Sequence, residues 1–424
     1  MALAHSRCRI AAPAAYSGVS QHTHRLFRGL AIVNTKEAQM NPSSKRIFLF
    51  YAVTAIFWFA LYAYVPYVSP YSELLGADLR FIGLIVGAYG FTQMAIRFPL
   101  GIISDRLGKR KIFVLGGLFF AAVSGLVVFF IPHPMTMLLS RSLGGVAAAS
   151  WVTFAILGAS YYPPEEATKS VGYLNAANAA GRICAFLAGG LIAQWIGVPY
   201  AFMLGGLAGL VGLVAGLGIK EKKQDAKNPP KLTELLGVAR NPGLLCTSLL
   251  AILAQYIMFA TAFGFTPLLA YSMGASPFAL GMLGIASAVP GLLIAPLAGT
   301  VIPKKIGPRN TIATGFIMAA IGCVFLAFAG NMWQLFAIQA FIGAGYIIAY
   351  TLLMGLCIKD MPGERRATAM GFFQAVYGVG MFLGPFVTGW LAHSYGLTVA
   401  LPLTGAVGAV GAVAVFWFVK QNYM

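Results

Sequence analysis

The sequence predicts an all-α polytopic membrane protein of twelve transmembrane helices. That prediction rests on composition, on apolar runs of spanning length, and on basic residues confined to alternate loops. Of 424 residues, 59% are hydrophobic and 9% charged, with a mean hydropathy of +0.80. Soluble domains carry about 25% charged residues. A bilayer core is about 30 Å thick and a spanning helix takes roughly 20 apolar residues. The residue-by-residue alternation of a membrane β-barrel is missing.

In chain order, a leader of residues 1–46 comes first. It carries Arg, His and Ser with no acid before Glu37, the composition of an organelle transit peptide. Translation starting at Met40, which sets "MNPSSKRIF" directly before the first span, and a disordered tail are the other readings. A secretory signal is not expected, because no apolar core precedes residue 47. Spans 1 to 6 follow at 47–70, 79–103, 112–131, 135–158, 169–193 and 199–219, an N-terminal six-helix bundle covering 47–219. Residues 220–242, "KEKKQDAKNPPKLTELLGVARNP", are the longest hydrophilic stretch after the leader and read as a cytoplasmic linker. Spans 7 to 12 fall at 243–271, 277–302, 310–329, 333–358, 367–392 and 397–419, a C-terminal bundle covering 243–420. Fifty glycines fit spans that pack closely through small residues. "GAVGAVGAV" (405–413) is one such packing face; with no strand before it, it is not a nucleotide loop.

The formal charge of +18 raises nucleic acid as a partner, and its placement removes that reading. Of 29 Lys and Arg, five lie in the leader and three, Arg97, Arg141 and Arg182, inside spans. Among the other 21, only Arg80 falls on the side opposite residues 101–113. The remaining 20 share one face, which the positive-inside rule assigns to the cytoplasm. Both termini are then cytoplasmic, and the plasma (inner) membrane is the expected location. Cys8, Cys184, Cys246, Cys323 and Cys357 show no metal or redox spacing and read as packing residues. No cofactor or metal is expected, and the lipid bilayer is the principal partner of a monomer.

Comparing the halves at an offset of 199 residues exposes an internal repeat. Gly108 falls on Gly307, Arg110 on Arg309, Gly116 on Gly315, Gly172 on Gly371, Gly181 on Gly380, Gly190 on Gly389 and Gly197 on Gly396. Two parallel six-span halves with the substrate site between them near the midplane are a recurrent transporter design.

The loop "GIISDRLGKRK" between spans 2 and 3 places Gly101, Asp105, Arg106, Gly108, Lys109 and Arg110 in one short turn. It resembles the Gly-x-x-x-Asp-Arg-x-Gly-Arg-Arg/Lys signature of the major facilitator superfamily. The second copy, "GTVIPKKIGPRN", keeps Gly299, Gly307 and Arg309 but has Lys304 where the acid stood. In span 4, Arg141 and Gly145 match the superfamily's Arg-x-x-x-Gly pattern. The resemblance covers residues 45–420 and is loosely closest to the drug- and metabolite-exporting branch. It implies alternating access, with the signature loop latching the halves together in the outward-facing state. A weaker latch is implied at the second loop. The physical reading of the loop is a tight glycine turn, with Asp105 drawn to the positive N-terminus of another span and the basic residues at the anionic leaflet.

No carboxylate lies in the middle of any span, whereas three arginines do. Charge inside a membrane is costly and faces a cavity or a partner, so a cationic interior favours an anionic or strongly hydrogen-bonding substrate. Asn175, Asn178 and Arg182 recur at i, i+3 and i+7 and share one helix face. The offset maps the two asparagines to Gln374 and Tyr377, and Arg182 to Met381. Arg141 is the second arginine candidate; Arg97 is expected to bond backbone carbonyls or reach the signature loop. Spans 1, 7 and 10 add Tyr62, Tyr64, Gln255, Tyr256, Tyr346 and Tyr350, of which Tyr256 and Tyr346 lie deep enough to line a cavity. Others fit an interfacial belt. Helix packing is the competing role for every arginine. His393, near the outer end of span 11, is the side chain in the spans that titrates near neutral pH and is the candidate for proton coupling.

Neither a phosphate-binding Gly-Lys-Ser/Thr loop nor a nucleophile–base pair is present, so no enzyme activity is expected. The function read here is a secondary transporter for a small organic solute, anionic or amphipathic. The alternatives are a proton-coupled multidrug exporter and a transport-dead receptor on the same fold.

Overall fold

Spans 1 to 6 are helical over Lys45–Leu74, Leu79–Leu107, Arg110–Phe130, Pro134–Ala159, Lys169–Trp195 and Val198–Leu217 in the computed structural model. Spans 7 to 12 cover Pro242–Ser272, Pro277–Thr300, Pro308–Leu326, Met332–Lys359, Thr368–Tyr395 and Leu397–Phe418. The structure describes residues 42–163, 166–221, 240–359, 361–362 and 365–419. Nearly all of the leader and most of the linker lie outside the described residues. The twelve spans fall within a few residues of their expected ends, because each hydrophobic run is cut by residues that cap or break a helix. Asp78, Asn241 and Ser276 cap spans 2, 7 and 8, their side-chain oxygens accepting from Phe81 N at 2.8 Å, Leu244 N at 2.9 Å and Ala279 N at 3.2 Å. Each satisfies an amide the first helical turn leaves open.

The repeat reappears in the backbone. Gly108 and Gly307 (φ +59° and +83°), like Gly197 and Gly396 (+135° and +81°), take up left-handed conformations that only glycine adopts cheaply. Gly181 in span 5 lies against the Ala55 carbonyl of span 1, and its counterpart Gly380 in span 11 lies against the Ile252 carbonyl of span 7.

Three spans expected to be continuous are broken. Span 1 passes from helix Pro42–Tyr62 through a 3-10 turn at Val65–Tyr67 into helix Val68–Leu74. Span 7 passes from Pro242–Ala260 through a π-helical turn at Thr261–Phe265 into Thr266–Ser272. Pro66 and Pro267, lacking an amide hydrogen, sit at these breaks. Span 4 is interrupted at Ser150, between helices Pro134–Ala149 and Trp151–Ala159.

Spans 2 and 11 pack along each other, as do spans 5 and 8. Both contacts tighten at the end away from the signature loop. There Gly83 lies against the Pro385 carbonyl, Gly87 against that of Phe382, and Gly281 against that of Phe186. Arg80 stacks over Trp390 at 4.4 Å, and Tyr67 donates to the Pro277 carbonyl at 3.0 Å. At the signature end these spans show no such approach at their glycines: a Cβ on Gly101, Gly172 or Gly371 would meet nothing within 4 Å. Among the described residues of 46–424, the close approaches between the halves lie at the end away from the signature loop, the closed end, and the signature end is the open one.

Candidate functional site

The three intramembrane arginines converge on tyrosines. Arg141, 3% exposed, holds its Cζ 4.5 Å above the Tyr89 ring, and the half-buried Arg182 holds its own 4.6 Å above Tyr62. Arg97, 5% exposed, donates from Nη1 to the Tyr377 hydroxyl at 3.4 Å, across from span 2 to span 11. This differs from the expected backbone or loop partner of Arg97. The reason is register: Tyr89, Gln93 and Arg97 recur at i, i+4 and i+8 on one stripe of span 2, and that stripe meets span 11. Tyr89 of span 2 stacks on Phe259 of span 7 at 6.1 Å, and Tyr62 of span 1 meets Phe263 of span 7 edge-on at 6.0 Å. One charged neighbourhood therefore includes residues from both halves.

These guanidinium groups keep spare donors. Nε of Arg97 and Arg182, and Nε and Nη1 of Arg141, are buried without a hydrogen-bond partner among the described residues. Stacking on a tyrosine face satisfies a cation by about 0.5–2 kcal/mol, yet leaves the in-plane N–H groups free. On the other half, Gln255 Nε2 donates to Tyr346 OH at 3.1 Å, Tyr346 stacks on Tyr350 at 5.1 Å, and Tyr350 meets Tyr377 edge-on at 5.9 Å.

The remaining candidates are dispersed. Tyr256 is half-buried, while Gln255, its neighbour, reaches Tyr346. Tyr64, fully buried, is held by Ser124 at 2.9 Å and stacks on Phe202. Asn175 is exposed toward the open end; Asn178 and Gln374 are half-buried. Phe259 and Phe263, from the break in span 7, were not singled out from sequence. They close a small pocket with Tyr62, Tyr89 and Arg141. The sequence signal for them was weak: a glycine and a proline, Gly264 and Pro267, inside an apolar run.

At the signature loop Asp105 accepts from Nη2 of Arg110, the first residue of the span 3 helix, at 3.0 Å. The first amides of span 3 go to Glu221, whose oxygens accept from Arg110 N at 2.6 Å and Lys111 N at 3.1 Å. Lys111 in turn donates to the Leu217 carbonyl at 2.7 Å, and Tyr161 to that of Lys220 at 2.8 Å. Burial, with Glu221 nearby, pushes the Tyr161 phenol up to about 12, so it remains a donor at neutral pH. Gly108 ends span 2 with its N–H on Ser104, and Arg106 stays exposed. His393 sits at the closed end, its Nδ1 3.6 Å from Asp78 Oδ2, away from the arginines.

Comparison with known proteins agrees with this architecture. The Major Facilitator Superfamily profile matches residues 47–268 and again 248–423. An MFS-type transporter of Methanocaldococcus jannaschii, itself uncharacterised, is 25% identical over 372 residues, covering 84% of this chain and 94% of its own. The quinolone resistance protein NorA of Staphylococcus aureus is 22% identical over 386 residues, covering 90% and 97%. Among solved structures, a bacterial homologue of the human lysosomal transporter Spinster, inward-facing and unoccupied, superposes with a TM-score of 0.76 at 15% identity. It covers 91% of this chain and 99% of its own. Twelve spans in the superfamily's arrangement, matched by its profile over nearly the whole chain, make this protein a multi-pass membrane transporter of the Major Facilitator Superfamily.

Proposed function

We propose that the chain is a secondary transporter that moves a small organic anion by alternating access. The observation that carries this reading is a set of three intramembrane arginines, each with a buried guanidinium nitrogen lacking a partner among the described residues, and no mid-span carboxylate in the sequence to neutralise them. In such a setting water competes poorly for a guanidinium, and a carboxylate or phosphate fits its fork. Residues 47–219 and 243–420 act as two six-helix bundles joined by the 220–242 linker. Arg182, Arg141 and Asn178 face Tyr346, Tyr377 and Gln374 across the site. The basic face is cytoplasmic, both termini lie there, and the molecule works as a monomer in the plasma membrane. The described conformation is then inward-open, and the pairing of Asp105 with Arg110 inside one loop is the released form of the latch. Proton coupling, where it operates, runs through His393, an outer acid or the substrate's own ionisation.

Uptake and efflux of labelled organic anions in proteoliposomes, with and without a pH gradient, test the reading. Anion movement that Arg182→Met abolishes supports it; movement of organic cations alone refutes it. The second reading, a multidrug exporter, is favoured by the similarity to NorA, and cation efflux driven by a pH gradient is its signature.

A further inference from the structure

Against Tyr62, the ring over which Arg182 sits, lies a donor that neither the fold nor the site above accounts for. Trp58 in span 1 is 6% exposed, and its Nε1 has no acceptor among the described residues. An indole N–H only donates, and a buried one ordinarily finds a partner. The Trp58 ring meets Trp151 at 5.2 Å edge-on and Tyr62 at 5.8 Å. Tyr62 is the ring over which Arg182 sits, and the Arg182 Nε is also unpartnered. Two unmatched donors thus flank one tyrosine, with an indole from span 4 alongside. The aromatic surface continues toward the open end: Tyr51, two turns before Trp58 on the same stripe of span 1, meets Tyr173 at 5.6 Å. Tyr173 is 54% exposed there.

We propose that this corner is a subsite for an aromatic carboxylate. The aryl body lies against Trp58 and Trp151, and the carboxylate accepts from the Arg182 fork and from Trp58 Nε1. The proposal rests on the anion reading and narrows it. An aliphatic acid would use the donors and leave the indole faces without a partner ring. An organic cation would use the faces and leave both donors unmatched.

The test uses the purified full-length chain in lipid nanodiscs, titrated calorimetrically with 2-naphthoate, its saturated counterpart decahydro-2-naphthoate, and a naphthyl trimethylammonium cation. The aryl acid should bind about tenfold or more tighter than the saturated acid, since each good aromatic contact adds to area burial. Trp58→Phe keeps a ring and loses the donor; it should weaken naphthoate by about three- to tenfold with melting temperature unchanged. Trp151→Leu should erase the preference for the aryl acid while both acids still bind. Equal affinities of the two acids in the unaltered chain overturn the subsite, as does wild-type affinity in Trp58→Phe. If in those cases Arg182→Met still abolishes acid binding, the anion reading stands without the subsite. Binding of the cation with neither acid bound overturns both.

Discussion

Arg182 offers five N–H groups in a rigid plane, and stacking over Tyr62 fixes that plane without using its edge. Arg182→Lys keeps the charge and loses the fork, while Arg182→Met installs the residue that the second half carries at Met381. A hydrogen bond to a charged group contributes about 1.5–3 kcal/mol, so the methionine change should weaken anion affinity by about 10- to 100-fold and the lysine change by less. Binding and thermal stability read together separate the roles: methionine with unchanged affinity and a raised melting temperature would mean a packing arginine. The arginines were legible in the sequence because charge in an apolar span is costly and therefore conspicuous. The tyrosines were not. Tyr62 and Tyr64 stand two positions apart with similar credentials, yet one lies under Arg182 and the other is sealed against Ser124. Gln255 and Tyr256 differ by one position, about 100° of helix turn, and that rotation decides which of them reaches Tyr346.

The elements around the signature loop divide two acids between two jobs. Glu221 holds the first amides of span 3 from the head of the linker, 111 and 110 positions away in sequence. A carboxylate at a helix N-terminus is stabilised by both the amides and the dipole. Glu221→Gln should lower the melting temperature, at a cost of about 1 kcal/mol for this partly exposed site, with transport per folded molecule largely kept. Asp105→Asn should do the reverse, leaving stability near normal and slowing transport, because in the latch reading Asp105 serves one conformational state. Melting curves and transport rates of the two variants give the answer, and unchanged transport in Asp105→Asn sinks the latch. The helices themselves were readable from run length, and the loop from its motif. The role of Glu221 was hidden because sequence does not report a contact between a linker and a loop that distant. The breaks in spans 1, 4 and 7 were hidden because an apolar run reads the same whether its backbone is α, 3-10 or π.

At the scale of the whole molecule, sequence charge defines two faces, while only the structure says which of them is open. In the proposed topology a cysteine placed at Ser276, which caps span 8 at the closed end, should react with an impermeant maleimide from outside intact cells; reaction from inside alone overturns the orientation. Which end closes turns on glycines whose neighbours the sequence does not reveal. Gly87 lies against the Phe382 carbonyl at the closed end, whereas Gly101, four turns along the same span, has nothing within 4 Å at the open end. If alternating access exchanges these environments, the two positions carry opposite conformational preferences. Gly87→Leu overpacks the described state and not its alternate; Gly101→Leu is neutral in the described state and crowds the alternate. Overpacking costs about 1–3 kcal/mol, enough to move a two-state balance by roughly 5- to 150-fold. With the native cysteines replaced and a single cysteine at Asn178, labelling from the outer face should rise in Gly87→Leu and fall below wild type in Gly101→Leu. Labelling from the inner face should move the other way in each. Shifts of the same sign in both variants would mean that the ends do not open in alternation, and rocking of the two halves about the arginine site would have to be abandoned.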